Sequence, residues 1–414
     1  MSIREQAQAA VKAERQLAVT STKIKNEALF AMAEALLTHE PEILAANVQD
    51  LEAGKEKGMR QSMLDRLLLN HKRLEEMAVG LRQVAALADP VGNVVDGRTL
   101  PNGLTIVKER VPLGVIGIIY EARPNVTADA IGLCLKSGNA VVLKGGSEAI
   151  KSNTVIAQVL TTAAEKAGVP AGSIQFITST EHSAVTELIT LNGLVDCVIP
   201  RGGAGLIHAV VSGASVPVIE TGLGLCHTYV DAGADYVMAA RIAINAKTQR
   251  PAVCNAMETL LVHKEAAAEF LPALLKELQA RGVEVRGDET TQKLGQNIVP
   301  ATETDWATEY DDLILSIKVV QGLDEALDHI ARYSTKHSEC IVTRNYEHAR
   351  KFQQCVDAAC VYVNASTRFT DGFQFGMGAE IGISTQKLHA RGPMALPELT
   401  TFKYLISGDG QVRE

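Results

Sequence analysis

Three side chains in this sequence are of the types that acyl transfer needs. Cys254 lies in Asn245-Ala-Lys-Thr-Gln-Arg-Pro-Ala-Val-Cys-Asn255, a polar, proline-broken stretch just ahead of the apolar run Met257 to Val262. Its thiol therefore belongs to a loop entering a strand, where chemistry is commonly placed. Glu220 stands 254 − 220 = 34 residues upstream in Val-Ile-Glu-Thr-Gly-Leu-Gly, and Asn125 follows a strand-like run in Tyr-Glu-Ala-Arg-Pro-Asn-Val-Thr. At strand ends, a thiolate can attack a carbonyl carbon, a carboxylate can accept a proton, and a carboxamide can donate to the developing oxyanion. The plain alternative for Cys254 is a small buried residue, the commonest fate of a free cysteine.

A second group of residues suits an anion. The fingerprint Gly-x-Gly-x-x-Gly is absent after the first parallel strand, which reads Gly114-Val-Ile-Gly117, and Gly222-Leu-Gly224 lacks the third glycine. Pro200-Arg201-Gly202-Gly203-Ala-Gly205 is a better candidate, a glycine-rich turn from strand to helix whose backbone N–H groups can receive a pyrophosphate. A tight turn without ligand is the alternative. Lys144 ends Ala140-Val-Val-Leu-Lys and is either a charge at the carboxyl end of a strand or a solvated surface lysine. His208, His227 and His389 read as structural.

The elements that must carry these groups follow from periodicity. From Ile3 to about Leu87, apolar residues recur at helical spacing in alanine-, leucine-, glutamate- and lysine-rich sequence, so several consecutive helices open the chain. Asn102-Gly103 between two β-type runs marks a hairpin, and Thr400-Thr-Phe-Lys-Tyr-Leu-Ile is its natural third strand. Beyond Pro112, apolar strands (Val115–Tyr120, 140–143, 174–178, 195–199, 216–219) alternate with helical segments, the pattern of a parallel sheet covered on both faces. A second series from about Thr228 to Ala365 has strands at 259–262, 314–320, 340–342 and 361–363. The expected class is α/β: a cofactor domain (1–93 and 112–224), a catalytic domain (225–394) and a small β arm (94–111 and 395–414) suited to oligomerisation. Ligands are expected at the carboxyl ends of the strands.

Composition narrows the function. The chain has 414 residues, 46% hydrophobic and 21% charged, with formal net charge −8, which argues against a general binder of nucleic acid or anionic membrane. Seven cysteines, an odd number without a Cys-x-x-Cys pair, favour a reducing compartment and offer no zinc spacing. The first residues carry charges rather than an apolar core, and no eighteen-residue apolar run occurs, so the expected location is the cytoplasm.

Val111-Pro-Leu-Gly-Val-Ile-Gly-Ile-Ile-Tyr, then Asn125, then Ser137-Gly-Asn-Ala-Val-Val-Leu-Lys144, resembles the cofactor domain of the aldehyde dehydrogenase superfamily. The order Asn125, Lys144, Glu220, Cys254, Glu309 is similar as well. Within the superfamily, Tyr-Glu-Ala-Arg-Pro-Asn-Val-Thr-Ala-Asp-Ala, Val-Ile-Pro-Arg-Gly-Gly, Ala-Lys-Thr-Gln-Arg-Pro-Ala-Val-Cys-Asn-Ala and Gly-Ala-Glu-Ile-Gly-Ile-Ser-Thr-Gln-Lys-Leu-His-Ala-Arg-Gly-Pro-Met match the branch that reduces gamma-glutamyl phosphate in proline biosynthesis. The resemblance spans essentially the whole chain. It implies an aldehyde-dehydrogenase-like fold, Cys254 as nucleophile without a metal, and NADPH-dependent conversion of gamma-glutamyl phosphate to glutamate 5-semialdehyde and phosphate.

It also implies individual roles. Asn125 would hold the oxyanion, and Lys144, Arg201, Gly202, Gly203 and Glu309 the cofactor, Glu309 at the nicotinamide ribose. Where NAD-using relatives carry a glutamate, this chain has Ser147, which removes repulsion against a 2′-phosphate. Glu220 matches a base for thioester hydrolysis, a role that a phosphorylating enzyme has no use for; proton handling and loop orientation remain. A substrate with a phosphate, a carboxylate and an ammonium calls for arginines and a carboxylate: Arg250 and Arg123 for the phosphate, Arg368 and Glu380 for the amino-acid end. A homo-oligomer is implied, with glutamate 5-kinase as a transient partner. The alternatives are a coenzyme A-dependent acylating aldehyde dehydrogenase and a catalytically silent scaffold. Selective alkylation of Cys254 among the seven cysteines would speak against the scaffold.

Overall fold

Five helices open the chain: α1 Ile3–Leu17, α2 Thr22–Thr38, α3 Glu40–Glu56, α4 Gln61–Leu67 and α5 His71–Ala86. Ser2, Ser21 and Asn70 each cap the helix that follows by accepting a first-turn backbone N–H, a contribution of about 1 kcal/mol apiece. The structure, a computed structural model, describes residues 1–413 and divides into two units. The first comprises Met1–Thr221, Gly376–Gly382 and the chain from Met394 onward.

Within this first unit the hairpin forms as expected, β1 Val94–Thr99 pairing antiparallel with β2 Thr105–Pro112. The strand Thr400–Ser407 adds to the other side of β2, in register from Thr400 opposite Pro112 to Ser407 opposite Thr105. A separate four-stranded parallel sheet contains β3 Val115–Tyr120, β4 Ala140–Gly145, β5 Ile174–Phe176 and β6 Cys197–Arg201, in the order β5-β4-β3-β6. Its crossovers include α6 Asn125–Lys136, α7 Ile150–Lys166 and α8 His182–Leu188, and α9 Ala204–Gly213 follows β6. Every residue of β3 and β4 is buried, which is why these runs are apolar without alternation. Gly138, at φ 80, closes α6: Asn139 N–H donates to Cys134 O at 2.8 Å and Gly138 N–H to Leu135 O at 3.1 Å. That left-handed turn lets the chain re-enter the sheet at once as β4. The expected strand over 216–219 is not one; it contributes an isolated parallel bridge, Val198 to Val218. Pro217 beside it has no N–H to extend a ladder.

The second unit comprises Gly222–Phe375 and Ile383–Pro393. Its strands are β7 Cys226–Val230, β8 Met257–His263, β9 Glu284–Gly287, β10 Val299–Pro300, β11 Ile314–Val320, β12 Ser338–Val342 and β13 Cys360–Val363. They form one parallel sheet in the order β10-β9-β11-β8-β7-β12-β13. The helices are α10 Tyr236–Thr248, α11 Lys264–Ala280, α12 Glu289–Leu294, α13 Leu323–Tyr333 and α14 Tyr346–Cys355, and a short antiparallel pair, β14 Ile383–Ser384 with β15 Gly392–Pro393, lies beyond them in the chain. Leu260, Val262, Leu271, Leu274, Leu315 and Ile317 sit in its main core. Among the described residues no helix is long and apolar enough to cross a membrane.

Candidate active site

Cys254 occupies the loop from α10 to β8 and is half-buried. The loop is held from both ends. Its carbonyl accepts from the thiol of Cys226 at 3.2 Å, and Gly224 packs against it so closely that a Cβ at residue 224 would lie 1.6 Å from the Cys254 oxygen. Asn255, buried, donates through Nδ2 to Thr370 O at 2.8 Å, while Thr367 Oγ1 donates to Asn255 O at 2.8 Å. Those two bonds bring up the short 3₁₀ turn Thr367–Phe369, which carries Arg368.

Arg368 Nε donates to Gln249 Oε1 at 2.9 Å. Burial and then the positive charge of Arg250 lower its pKa, while negative charge at Cys254 and Asp371 raises it. Arg368 is thus within electrostatic reach of both Arg250 and the thiol, a cationic setting for an anionic group at the sulfur. Glu309 joins the same region, accepting Gly224 N–H at 2.9 Å. In this unit the candidate groups precede strands: Cys254 before β8, Gly224 before β7 and Glu309 before β11. The expectation of carboxyl-terminal strand ends does not extend to this unit: the segment bearing the cysteine leads into its strand, as its own sequence led one to expect. His227, expected to be structural, is fully buried with Nδ1 at 3.0 Å from Glu339 Oε2.

The other cysteines divide sharply. Cys197 and Cys340 are buried and burial pushes their thiols up to about 12; burial likewise raises Cys134 and Cys226. Cys355, by contrast, is exposed. Alkylation is therefore not a one-thiol experiment, and a specific test of Cys254 needs Cys355 removed first.

In the first unit the candidate groups do follow strands. Lys144 near the end of β4 is 5% exposed and donates to Gly145 O at 2.8 Å; burial lowers its pKa and Glu148 opposes that. Ser147, exposed, begins a 3₁₀ turn, and Glu148 folds back to accept Ala122 N–H. Arg201 ends β6 and lies over the backbone of Gly382, where a Cβ would come 2.3 Å from its NH1. Gly203 is the N-cap of α9, but its N–H donates to Glu121 Oε2 at 2.8 Å, and a Cβ on Gly202 would stand 2.5 Å from the same oxygen. The turn expected to offer its N–H groups to phosphate has a carboxylate seated on it.

Asn125 opens α6, and its Nδ2 donates to Asp129 Oδ2 at 3.0 Å, one turn on. Burial lifts the Asp129 carboxyl to about 6, against the opposing effects of the Asn125 hydrogen bond and the Arg201 charge. Glu220, Arg123 and Glu380 are half-buried in this unit. Arg368 and Glu380, paired from sequence, belong to different units. Sequence reasoning missed Glu121 and Asp129, although both lie inside the Tyr-Glu-Ala-Arg-Pro-Asn-Val-Thr-Ala-Asp string, and missed Lys247 and Glu258 flanking the cysteine.

Residues 1–304 match the aldehyde dehydrogenase family. The chain is 62% identical over 414 residues to a gamma-glutamyl phosphate reductase of Moorella thermoacetica, covering 100% of this chain and 99% of that one. It is 61% identical over 393 residues to one of Heliobacterium modesticaldum, covering 95% and 94%. The crystal structure of gamma-glutamyl phosphate reductase from Thermotoga maritima superposes with a TM-score of 0.96 at 52% identity, covering 99% of each chain. An acetylating aldehyde dehydrogenase from Geobacillus thermoglucosidasius, at 17% identity and TM-score 0.72 over 100% of this chain and 97% of that one, shares the fold.

Proposed function

This chain belongs to the aldehyde dehydrogenase family, and from that premise we infer that it is an oxidoreductase of proline biosynthesis that reduces gamma-glutamyl phosphate to glutamate 5-semialdehyde and phosphate. The identity to relatives of that name along the whole chain supports the substrate. The observation that carries the chemistry is the half-buried thiol of Cys254 on a loop that hydrogen bonds of Asn255 tie to the turn bearing Arg368, whose Nε is bonded to Gln249 beside Arg250.

In this reading the guanidinium charges favour the thiolate and draw the acyl phosphate to it. The thiolate of Cys254 attacks the acyl carbon; as the C–S bond forms the C–O bond to phosphate breaks, and phosphate leaves as an anion beside the two arginines. Arg368, expected at the amino-acid end, is reassigned to the phosphate because its turn is bonded to Asn255 and its Nε to Gln249, on either side of the Cys254 loop. Arg123 and Glu380 are left for the carboxylate and ammonium of the substrate. Asn125 and the Cys254 backbone N–H are assigned to the oxyanion, Asn125 through the second N–H of the amide that gives its other to Asp129. Glu220 has no water to activate, since the acyl acceptor in reverse is phosphate; proton transfer or orientation of its segment remains to it.

The cofactor we assign is NADPH. The donor set of the first unit fits a phosphorylated dinucleotide: the buried cation Lys144, Arg201, the glycines 202 and 203 at a helix start, and uncharged Ser147 with Glu148 held on the Ala122 N–H. When bound, the reduced nicotinamide supplies the hydride that converts the Cys254 thioester to a thiohemiacetal, which collapses to the aldehyde. Glu309 is assigned to the nicotinamide ribose. A cytoplasmic homo-oligomer, fed its labile acyl phosphate by glutamate 5-kinase, completes the proposal; seven cysteines without a disulfide among the described residues accord with a reducing compartment.

The test is the reverse reaction, NADP reduction followed by absorbance with glutamate 5-semialdehyde, with and without phosphate, in wild type and Cys254→Ala. Turnover needing both phosphate and the thiol is the expected result. Equal turnover without phosphate would replace this scheme by hydrolysis with Glu220 as base, and turnover restored only by coenzyme A would replace the substrate.

A further inference from the structure

Beneath the cysteine loop of the second unit lies an ion pair that the mechanism above does not use. Lys247, in the last turn of α10, and Glu258, in β8, are 0% and 1% exposed at their side chains, and Lys247 Nζ stands 2.6 Å from Glu258 Oε2. The other oxygen, Oε1, accepts the backbone N–H of Asp311 at 3.4 Å. Asp311 has φ 54, a left-handed conformation that a non-glycine residue keeps only where its surroundings enforce it. Between Asp311 and Glu309, the Tyr310 ring lies 6.0 Å from Lys247 Nζ, and its hydroxyl is bonded to Asp305 Oδ1 at 2.9 Å and Ser316 Oγ at 2.7 Å. The segment Glu309-Tyr310-Asp311 is therefore fixed at three points: Gly224 at Glu309, Asp305 and Ser316 at Tyr310, and Glu258 at Asp311.

We propose that Lys247 and Glu258 are positioning residues for Glu309. Glu258 holds the turn through the Asp311 N–H, and Lys247 supplies the charge that allows a second carboxylate to be buried near Glu309. Two carboxylates at close quarters repel, and the negative charge of Glu309 is among the influences that resist ionisation of Glu258. Lys247 offsets that repulsion. Without it, a charged Glu258 repels Glu309, and either the Asp311 contact or the bond from Gly224 to Glu309 gives way. The inference rests on the assignment of Glu309 to the nicotinamide ribose made above, and it extends the cofactor site to two residues that face no cofactor.

Removing one partner of a buried pair strands a charge and destabilises any protein, so single variants are uninformative. The informative comparison is Lys247→Met with Glu258→Met against Lys247→Met with Glu258→Gln. Both are free of charge and matched in volume, but only the glutamine keeps an acceptor for Asp311. The readout is the dissociation constant for NADP, by fluorescence titration of the full-length protein, with KM for phosphate in parallel. The methionine pair is expected to weaken NADP by about tenfold, as a loosened positioning shell does, with KM for phosphate unmoved. The glutamine pair is expected to stay within about twofold of wild type. Wild-type affinity in the methionine pair would make the ion pair merely structural and overturn the proposal, as would equal weakening in both pairs. If the methionine pair does not fold, the glutamine pair decides, since weak binding in it refutes the role of the Asp311 contact. Glu309→Gln separates the premise: unchanged NADP affinity in that variant would remove Glu309 from the cofactor site and this proposal with it.

Discussion

A carboxylate at the amino end of a helix is favourable until a phosphate needs the same place. Glu121 accepts the Gly203 N–H at the start of α9, where the glycine-rich turn invites pyrophosphate. Its charge competes with the nucleotide for the same donor and the same end of the helix dipole, a term of about 1 kcal/mol. Glu121→Gln should accordingly tighten NADP by roughly fivefold, measured by fluorescence titration; weaker binding would mean that the carboxylate shapes the turn rather than blocks it. Asp129 offers a pH prediction. Its folded carboxyl titrates at about 6, above the ordinary ~3.9, so the folded chain binds this proton more readily than the unfolded one. Stability from the group is complete below about pH 4 and is lost as pH rises through about 6. Asp129→Asn, which keeps an acceptor for Asn125, should match wild type in unfolding free energy at pH 4 and exceed it above pH 6, by at most about 3 kcal/mol, measured by denaturant titration at each pH. A gap that does not widen with pH would place the Asp129 titration elsewhere. Neither residue's part was legible beforehand: the string that contains them is visible in the sequence, but the burial of Asp129 and the reach of Glu121 to residue 203 are products of folding.

At the scale of elements, the sequence announced several buried strands but passed over β7, Cys226–Val230, although every residue of it is buried. β11 runs from Ile314 to Val320 as its apolar run does, and β3 from Val115 to Tyr120. It was silent on β9 and β10, where Glu284-Val-Arg-Gly and Val299-Pro300 are too short and too polar to stand out, and it misread 216–219, where a proline interrupts an apolar run. Cys254 was found by its company of Pro251 and polar neighbours, and its place in the loop entering β8 by the apolar run that follows; the segments that pack on that loop come from far along the chain and no local pattern encodes them. What fixes it there is the close approach of Gly224. Any Cβ at that position collides with the Cys254 carbonyl, backbone against backbone, so one of the two segments has to shift. Gly224→Ala should therefore lower kcat by ~100-fold or more, the scale of a misplacement near 1 Å, and should change the alkylation rate of Cys254 measured in a Cys355→Ser background. Full activity in Gly224→Ala would show that the cysteine loop tolerates displacement and that its position is not what limits turnover.

For the molecule as a whole, the outstanding feature is a sheet that nothing in a single chain explains. All of β1 is exposed, and in Thr400–Ser407 every residue after the first is exposed as well. Val94, Tyr404 and Ile406 are 62%, 56% and 62% exposed. A three-stranded antiparallel sheet with apolar side chains in water and two unpaired edges is both a poor monomer surface and a template for another strand. The economical account is that a second copy of the chain covers it, which would make the hairpin and the closing strand the oligomerisation arm expected from their sequence. A patch of this kind is disrupted most directly by charge, because a buried lysine without a partner costs several kcal/mol while an exposed one costs almost nothing. On that account wild type should scatter light as more than one chain at micromolar concentration, and Tyr404→Lys with Ile406→Lys should give a smaller species while leaving the Cys254 loop, which lies in the other unit, able to be alkylated at the wild-type rate. Unchanged mass would put the interface elsewhere and leave the exposed arm in need of a different partner; and because each chain carries a net charge of −8, raising the salt concentration should favour assembly if the copies meet at this largely apolar face and self-repulsion is what opposes them.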